Sequence, residues 1–467
     1  MSYDLIIAGA TVATASDITD MDIGIRNGRI VTLGKDLGTA TRTIDATGLL
    51  ALPGGIDSHV HIAQPAAPGV EMADDFHSGT LSAAFGGNTT ILPFCLQEGE
   101  ESLRDAVTAY EAKANGQCHV DVGFHLIVKQ VDAATLGQSL PALFEAGYTS
   151  FKVFMTYADL SLSDREILDV MAVAKEHNAL VMVHAENEDA IEFLRDIADD
   201  QGQIAPKYHA STRPVAVERE ATHRAMSLAE IAGVPIMIVH VSNGQALDEI
   251  RRARQRGQRV YAETCPQYLT LTAHDLDRAG FEGAKYVCSP PPRDTTEQAA
   301  CWAGVENGDF DVFSSDHCPF RFEDTSGKKV AGSERSFRNI PNGIPGVETR
   351  LPILFSEGVN KGRISLQRFV ALTATNHAKL YGLYPRKGSI AIGSDADIVL
   401  WDPNMERTIS QSDLHHGSDY TPWEGYAVKG WPVTTILRGN VVVDKGLQVQ
   451  DHASGQVLKR APPGNPY

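Results

Sequence analysis

The 467-residue sequence predicts an α/β fold: repeated βα units around a parallel sheet, fitted best by a barrel, with one small β domain assembled from both chain ends. Three observations predict it. Short β segments punctuated by turns fill residues 3–52. Similar β-rich text returns after residue 390. Between them, from about Leu52 to Leu380, apolar strand-like runs alternate with longer amphipathic stretches. The expected division is 1–52 plus 381–450 for the β domain, 53–380 for the barrel and 451–467 for a tail.

At the N-terminus, Tyr3-Asp4-Leu5-Ile6-Ile7, Asp22-Ile23-Gly24-Ile25 and Ile30-Val31-Thr32-Leu33 read as strands, with Asn27-Gly28 as a hairpin signal. Their expected partners are Asp397–Trp401 and Val433–Val443, the latter turning at Gly439-Asn440. The barrel strands are expected at Thr89–Leu92, Val120–Phe124, Ser150–Phe154, Leu180–Val183, Pro235–Val239, Arg259–Ala262 and Asp311–Phe313. A doubly wound open sheet would produce similar text. The tail 451–467, rich in Pro, Gly and basic residues, reads as an extended arm and a candidate oligomer contact.

Composition narrows the function. A net charge of -18 repels phosphate backbones and anionic lipid, so neither nucleic acid nor a membrane surface is an expected partner. Six cysteines lie far apart without a CxxC pair, which fits free thiols in a reducing cytoplasm. The apolar stretch Leu5–Ala8 has no basic flank, and no apolar run approaches the ~20 residues that span a bilayer. A cytoplasmic protein is expected.

Five polar sites fall at the C-terminal ends of predicted strands, where barrels place catalytic groups. In Asp57-Ser58-His59-Val60-His61 the two imidazoles of an extended His-x-His face one side and can grip one ion. Lys152 interrupts the apolar strand Ser150–Phe154, where an isolated ammonium tends to lose its proton. It reads either as a lysine paired with a carboxylate or as an amine that takes up CO2 to become a bridging carbamate. His184 and His240 terminate strongly apolar strands, and Asp316 follows the strand at Phe313. Alone, each histidine is an ordinary hydrogen-bonded residue and Asp316 a helix cap. Jointly, His59, His61, Lys152, His184, His240 and Asp316 form a ligand inventory for two divalent metal ions. Mixed nitrogen and oxygen donors favour Zn2+, with Mn2+, Co2+ or Ni2+ able to occupy similar sites.

At these residues the sequence resembles the cyclic amidohydrolases, and within them the dihydropyrimidinases and hydantoinases. The likeness extends to Lys152-Val153-Phe154-Met155-Thr156-Tyr157, His184-Ala185-Glu186-Asn187, Glu263-Thr264-Cys265-Pro266-Gln267-Tyr268-Leu269, Cys288-Ser289-Pro290-Pro291, Asp316-His317-Cys318, Ile340-Pro341-Asn342-Gly343 and Gly393-Ser394-Asp395-Ala396-Asp397. The resemblance implies a (β/α)8 TIM barrel with a β-sandwich made from both chain ends, and a homotetramer or dimer. It also implies hydrolytic opening of a dihydropyrimidine or hydantoin to the N-carbamoyl amino acid by a hydroxide held between two metals. By that likeness His59, His61 and Asp316 hold one metal, His184 and His240 the other, and Lys152 bridges them as N6-carboxylysine. Asp316 shuttles the proton, Tyr157 donates to the oxyanion, and Ser289 and Asn342 bind the ring amides.

The chain departs from its relatives near the substrate. Ala63 stands where the dihydroorotases put an arginine, which argues against dihydroorotate. Ala66, Ala67 and the stretch Ala158–Ser163 lack the bulky residues common in hydantoinases. Phe94, Leu160 and Gln64 are the candidates for lining the space around the ring substituent. A cyclic imide hydrolase or allantoinase would use the same chemistry. A non-catalytic scaffold of this fold is disfavoured, because all six ligand positions are filled.

Overall fold

Eight parallel strands follow one another around the centre of the molecule: Gly55–Val60, Asn88–Cys95, His125–Ile127, Ser150–Phe154, Leu180–His184, Ile236–Ile238, Val260–Thr264 and Val312–Phe313. They are taken from a computed structural model that describes residues 2–449 and 452–466. Sequence neighbours are neighbours in the sheet, as right-handed βα crossovers produce, so the open-sheet alternative falls away. The expected strand at 120–124 is split into Asp121–Val122 and His125–Ile127.

The seam between first and last strands is narrow. It consists of a parallel bridge between Val60 and His317 and of His61 N–H donating to the His317 carbonyl at 2.6 Å. The Arg350 guanidinium reinforces it from within, donating to the carbonyls of Ile56 on one side and Phe313 on the other. Inside the barrel Ile56, Leu92, Met182, Met237 and Val312 pack as one cluster. Their strands read as continuous apolar runs because both faces are buried.

The crossover helices carry their own boundary signals. Asp164–His177 begins at Ser163, whose hydroxyl accepts from Glu166 N–H while the Glu166 carboxylate reaches back, and it ends at Asn178 with φ 51°. Ile167, Val170, Met171 and Ala174, at helical spacing, face the sheet.

The second sheet joins the two ends of the chain. Tyr3–Ala13 runs antiparallel to Ile18–Arg26 and parallel to Ala40–Asp45 and Leu50–Pro53. Leu50–Pro53 pairs antiparallel with Ile398–Thr408, which continues through Ala427–Leu437 to Asn440–Asp444. Leu5, Ile7, Ile23, Ile25, Ile398 and Ile436 form its core. Asn27 and Gly28 make the expected turn, with φ 50° and 73°. The later hairpin turns at Arg438-Gly439, and Asn440 pairs with Leu437 inside the ladder rather than in the turn.

Asp121, Asp395 and Asp397 cluster where the two sheets meet, and the buried Lys387 ammonium fills the cluster, 2.7 Å from Asp121 Oδ2. The tail also binds this chain. Val122 N–H donates to Gln456 O and Leu458 N–H to Val122 O, Arg460 N–H donates to Gly147 O, and Ala461 N–H to Gly382 O. Leu458 caps the barrel cluster, and a Cβ on Gly382 would lie 1.9 Å from Ala461 O. Over residues 455–464 the tail is a strap under its own barrel; Asp451 and Tyr467 lie outside the described residues. No helix among the described residues is long and apolar enough to cross a membrane.

Candidate active site

Six side chains converge above the C-terminal ends of the barrel strands. His59 Nε2 is 3.1 Å from Asp316 Oδ1, and His61 Nε2 is 3.5 Å from the same oxygen. The ligand atoms of these three residues lie within 4.8 Å of one another. Lys152 Nζ is 2.9 Å from His59 Nε2. His184 Nδ1 faces His240 Nε2 at 2.9 Å, and the His59 and His240 ring centroids are 5.3 Å apart. Two nitrogens sharing one Zn2+ at tetrahedral angle would be about 3.4 Å apart, so the spacing suits a common cation.

The other ring nitrogens are held by acceptors from outside. His59 Nδ1 is 2.6 Å from Glu263 Oε1, His61 Nδ1 is 2.8 Å from Gln64 Oε1, and His184 Nε2 is 2.7 Å from Glu186 Oε2, itself bound by Arg213. Giving a proton to each acceptor leaves the inward nitrogens of these three rings with free lone pairs. His240 is positioned through its backbone, whose N–H donates to Glu263 Oε1 at 3.0 Å. Burial holds the His61 imidazole down at about 4 and those of His184 and His240 well below their usual value, so these rings are neutral. His59 alone is shifted up: burial and Lys152 oppose the change, but Glu263 and Asp316 flank the ring. This donor set is that of a divalent cation site.

Lys152 is 1% exposed, and its ammonium lies over the Phe94 and Phe154 rings at 4.6 and 4.8 Å with no ion pair among the described residues. Burial brings it down to about 8, despite the opposing charges of Asp316 and Glu263. Burial would raise the Asp316 carboxyl, but His59 and His61 beside it hold it well below the usual range. Tyr157, His240 and Asp316 have φ of 74°, 40° and 52°. Side chains rarely adopt that region, and such strain, about 1–3 kcal/mol each, gathers at functional sites.

A cavity of about 1110 Å3 opens over the cluster. Tyr157, Ser289 and Asn342 line it together with Leu160 and Gln64. Burial raises the Tyr157 phenol to about 12, with Ser289 and Asn342 opposing the rise, so it remains a proton donor near neutrality. Phe94 is placed otherwise than expected. It is fully buried behind the imidazoles, stacked on His61 at 5.0 Å, because its strand position faces the barrel interior and not the cavity. Gln64 reaches the wall, but its amide is committed to His61 Nδ1 and the Phe94 carbonyl.

Glu263, Glu186 and Arg213 were not singled out from the sequence for any role. The signal for Glu263 was present: it follows the apolar Val260-Tyr261-Ala262, just as His184 and His240 follow theirs. Arg213 carried none, since it sits in the link between the helices Tyr208–Ser211 and Val215–Ala232 and meets Glu186 only in the folded chain. His317 turns from the cluster toward Asp74, and His415 pairs with Glu348.

The profile of the amidohydrolase family matches residues 50–442. The chain is 47% identical over 458 residues to a D-hydantoinase of Rhizobium radiobacter, covering 98% of this chain and 99% of the relative. A solved D-hydantoinase superposes with a TM-score of 0.95 at 47% identity, covering 98% of this chain and 99% of that one. The crystal structure of a dihydropyrimidinase from Brevibacillus agri does so with 0.95 at 44%, over the same shares. The chain belongs to the amidohydrolase family, in the branch that contains the D-hydantoinases and dihydropyrimidinases.

Proposed function

We propose that this chain hydrolyses a cyclic amide, opening a hydantoin or 5,6-dihydropyrimidine ring to the N-carbamoyl amino acid. The observation that carries the proposal is the convergence of four imidazoles, one amine and one carboxylate at a single barrel mouth, with the outward nitrogens of His59, His61 and His184 held by protein acceptors. His59, His61 and Asp316 would hold one divalent ion and His184 and His240 the second. Lys152, carbamylated by CO2, would bridge them, since a buried amine brought down to about 8 is partly neutral at physiological pH. Zn2+ is the expected ion; Mn2+, Co2+ or Ni2+ suit the same donors. When bound, the two ions acidify water and polarise the ring carbonyl.

The protein's own groups do the rest. The Tyr157 hydroxyl donates to the ring carbonyl oxygen as negative charge develops there, stabilising the transition state more than the ground state. Ser289 and Asn342 orient the ring amides. As water adds to the carbonyl carbon, Asp316 accepts its proton and returns it to the departing ring nitrogen, so the carbon–nitrogen bond breaks without a covalent enzyme intermediate. The assembly as a homotetramer or dimer, the cytoplasmic setting and the domain limits 1–52 plus 381–450, 53–380 and 451–467 belong to the same proposal.

The test follows the ultraviolet loss of ring amide when zinc-loaded protein meets dihydrouracil, hydantoin, a 5-aryl hydantoin, succinimide, glutarimide and allantoin. Opening of dihydrouracil or a hydantoin supports the proposal. Exclusive opening of an imide or of allantoin moves the substrate class, and no opening with two metals bound overturns the hydrolase.

A further inference from the structure

Among the described residues, Lys129 is the one basic side chain on the cavity wall that has no partner and lies outside the candidate centre. Arg195 Nη1 is 2.6 Å from Glu192 Oε1, and Arg338 binds Glu192, Asp196 and Asp199. Lys129 lines the same cavity, is half-buried, and makes neither a hydrogen bond nor an ion pair with any described residue.

Its place in the barrel is defined by register. Ile127 pairs directly with Lys152, and Val128 N–H donates to the Lys152 carbonyl at 3.1 Å. Alternation turns Val128 into the core and leaves Ile127 and Lys129 on the cavity side. Lys129 therefore stands about 6.6 Å beyond Ile127 toward the cavity mouth, at two residues of extended chain. A ring seated on the metal cluster would point its exocyclic substituent into this outer space. Ala66, Ala67, Leu96 and Leu160 also line the cavity and supply small or apolar walls suited to an aliphatic stem.

From these observations we infer that Lys129 sets substrate specificity by binding a carboxylate at the end of the substituent. The favoured substrates are then hydantoins or dihydropyrimidines with a short, acid-terminated side arm. The other unpaired charges on the rim, Glu98 and Asp159, are exposed and stay hydrated. The half-buried ammonium gains more from an anion than a surface lysine would, since less water screens the pair.

The inference rests on the ring-opening function proposed above, and its test separates the two. Metal-loaded enzyme is compared on 5-(2-carboxyethyl)hydantoin and on the neutral 5-(2-carbamoylethyl)hydantoin, which share stem and size. The wild-type protein is expected to favour the carboxylate by about 10- to 100-fold in kcat/KM, the range of one charge-assisted hydrogen bond. Lys129→Met should bring that ratio close to one, and Lys129→Arg should keep most of it. Equal kcat/KM for the two rings in the wild-type protein, or a Lys129→Met variant with an unchanged ratio, overturns the inference and leaves ring opening intact. If neither of these rings opens while dihydrouracil or unsubstituted hydantoin does, the inference is overturned and ring opening stands; if none of them opens, the proposed function fails and takes the inference with it.

Discussion

The Glu263 carboxylate lies 2.6 Å from His59 Nδ1 and also accepts the His240 backbone N–H at 3.0 Å and the Ser314 hydroxyl at 2.7 Å. One buried anion thus orients a histidine from each half of the cluster. Glu263→Gln keeps the size and removes the charge, and it is expected to weaken metal binding by about 10- to 100-fold, as loss of such an outer partner does elsewhere. Competition with a chelator measures this, and an unaltered affinity would remove Glu263 from the centre.

Lys152 is expected to be the most sensitive position. Lys152→Ala deletes the bridge and should abolish ring opening together with metal retention, read as ions per chain after gel filtration. Two tightly bound ions in the variant would contradict the bridging role.

For Tyr157, the expectation separates catalysis from assembly of the site. Tyr157→Phe should lower kcat by about 100- to 1000-fold while leaving metal content intact, the range seen when one oxyanion donor is removed. A rate within a few-fold of wild type would exclude the hydroxyl from the transition state.

Asp74 gives a prediction about acid stability. Burial alone would raise its carboxyl, but the His317 imidazole, 3.0 Å away, and then His416 and Ser78 bring it below the ordinary value. A carboxyl depressed in the folded state adds stability above its unfolded pKa of about 3.9 and loses it as pH falls through the folded value. Asp74→Asn should therefore cost about 1.5–3 kcal/mol at pH 7, the range for a hydrogen bond to a charged group. The difference from wild type should shrink below about pH 4. Urea inactivation midpoints at pH 7 and pH 3.5 measure both, and a penalty equal at the two values would contradict the ionic contribution.

Much of the molecule was legible in one dimension. Periodicity located the barrel strands to within a few residues, because strands buried on both faces must be apolar throughout and their polar termini then stand out. His184 and His240 were found on that basis, each a polar residue ending an apolar run. The turn at Asn27-Gly28 was legible because a left-handed pair favours those residues. The Gly439-Asn440 turn was displaced by one residue: Arg438, with φ 45°, takes a conformation that its side chain does not advertise.

The sequence by itself determined the donor types, their order along the chain and the strand ends that carry them, because these depend on local pattern and side-chain chemistry. The tertiary structure decided which nitrogen of each histidine faces inward, that Phe94 lies behind the cluster, that the tail straps its own barrel, and that Lys129 is left without a partner among the described residues. Each of these depends on groups far apart in sequence, such as Glu263 against His59 and Arg213 against Glu186, which meet only when the barrel closes. Local pattern holds no record of those distances.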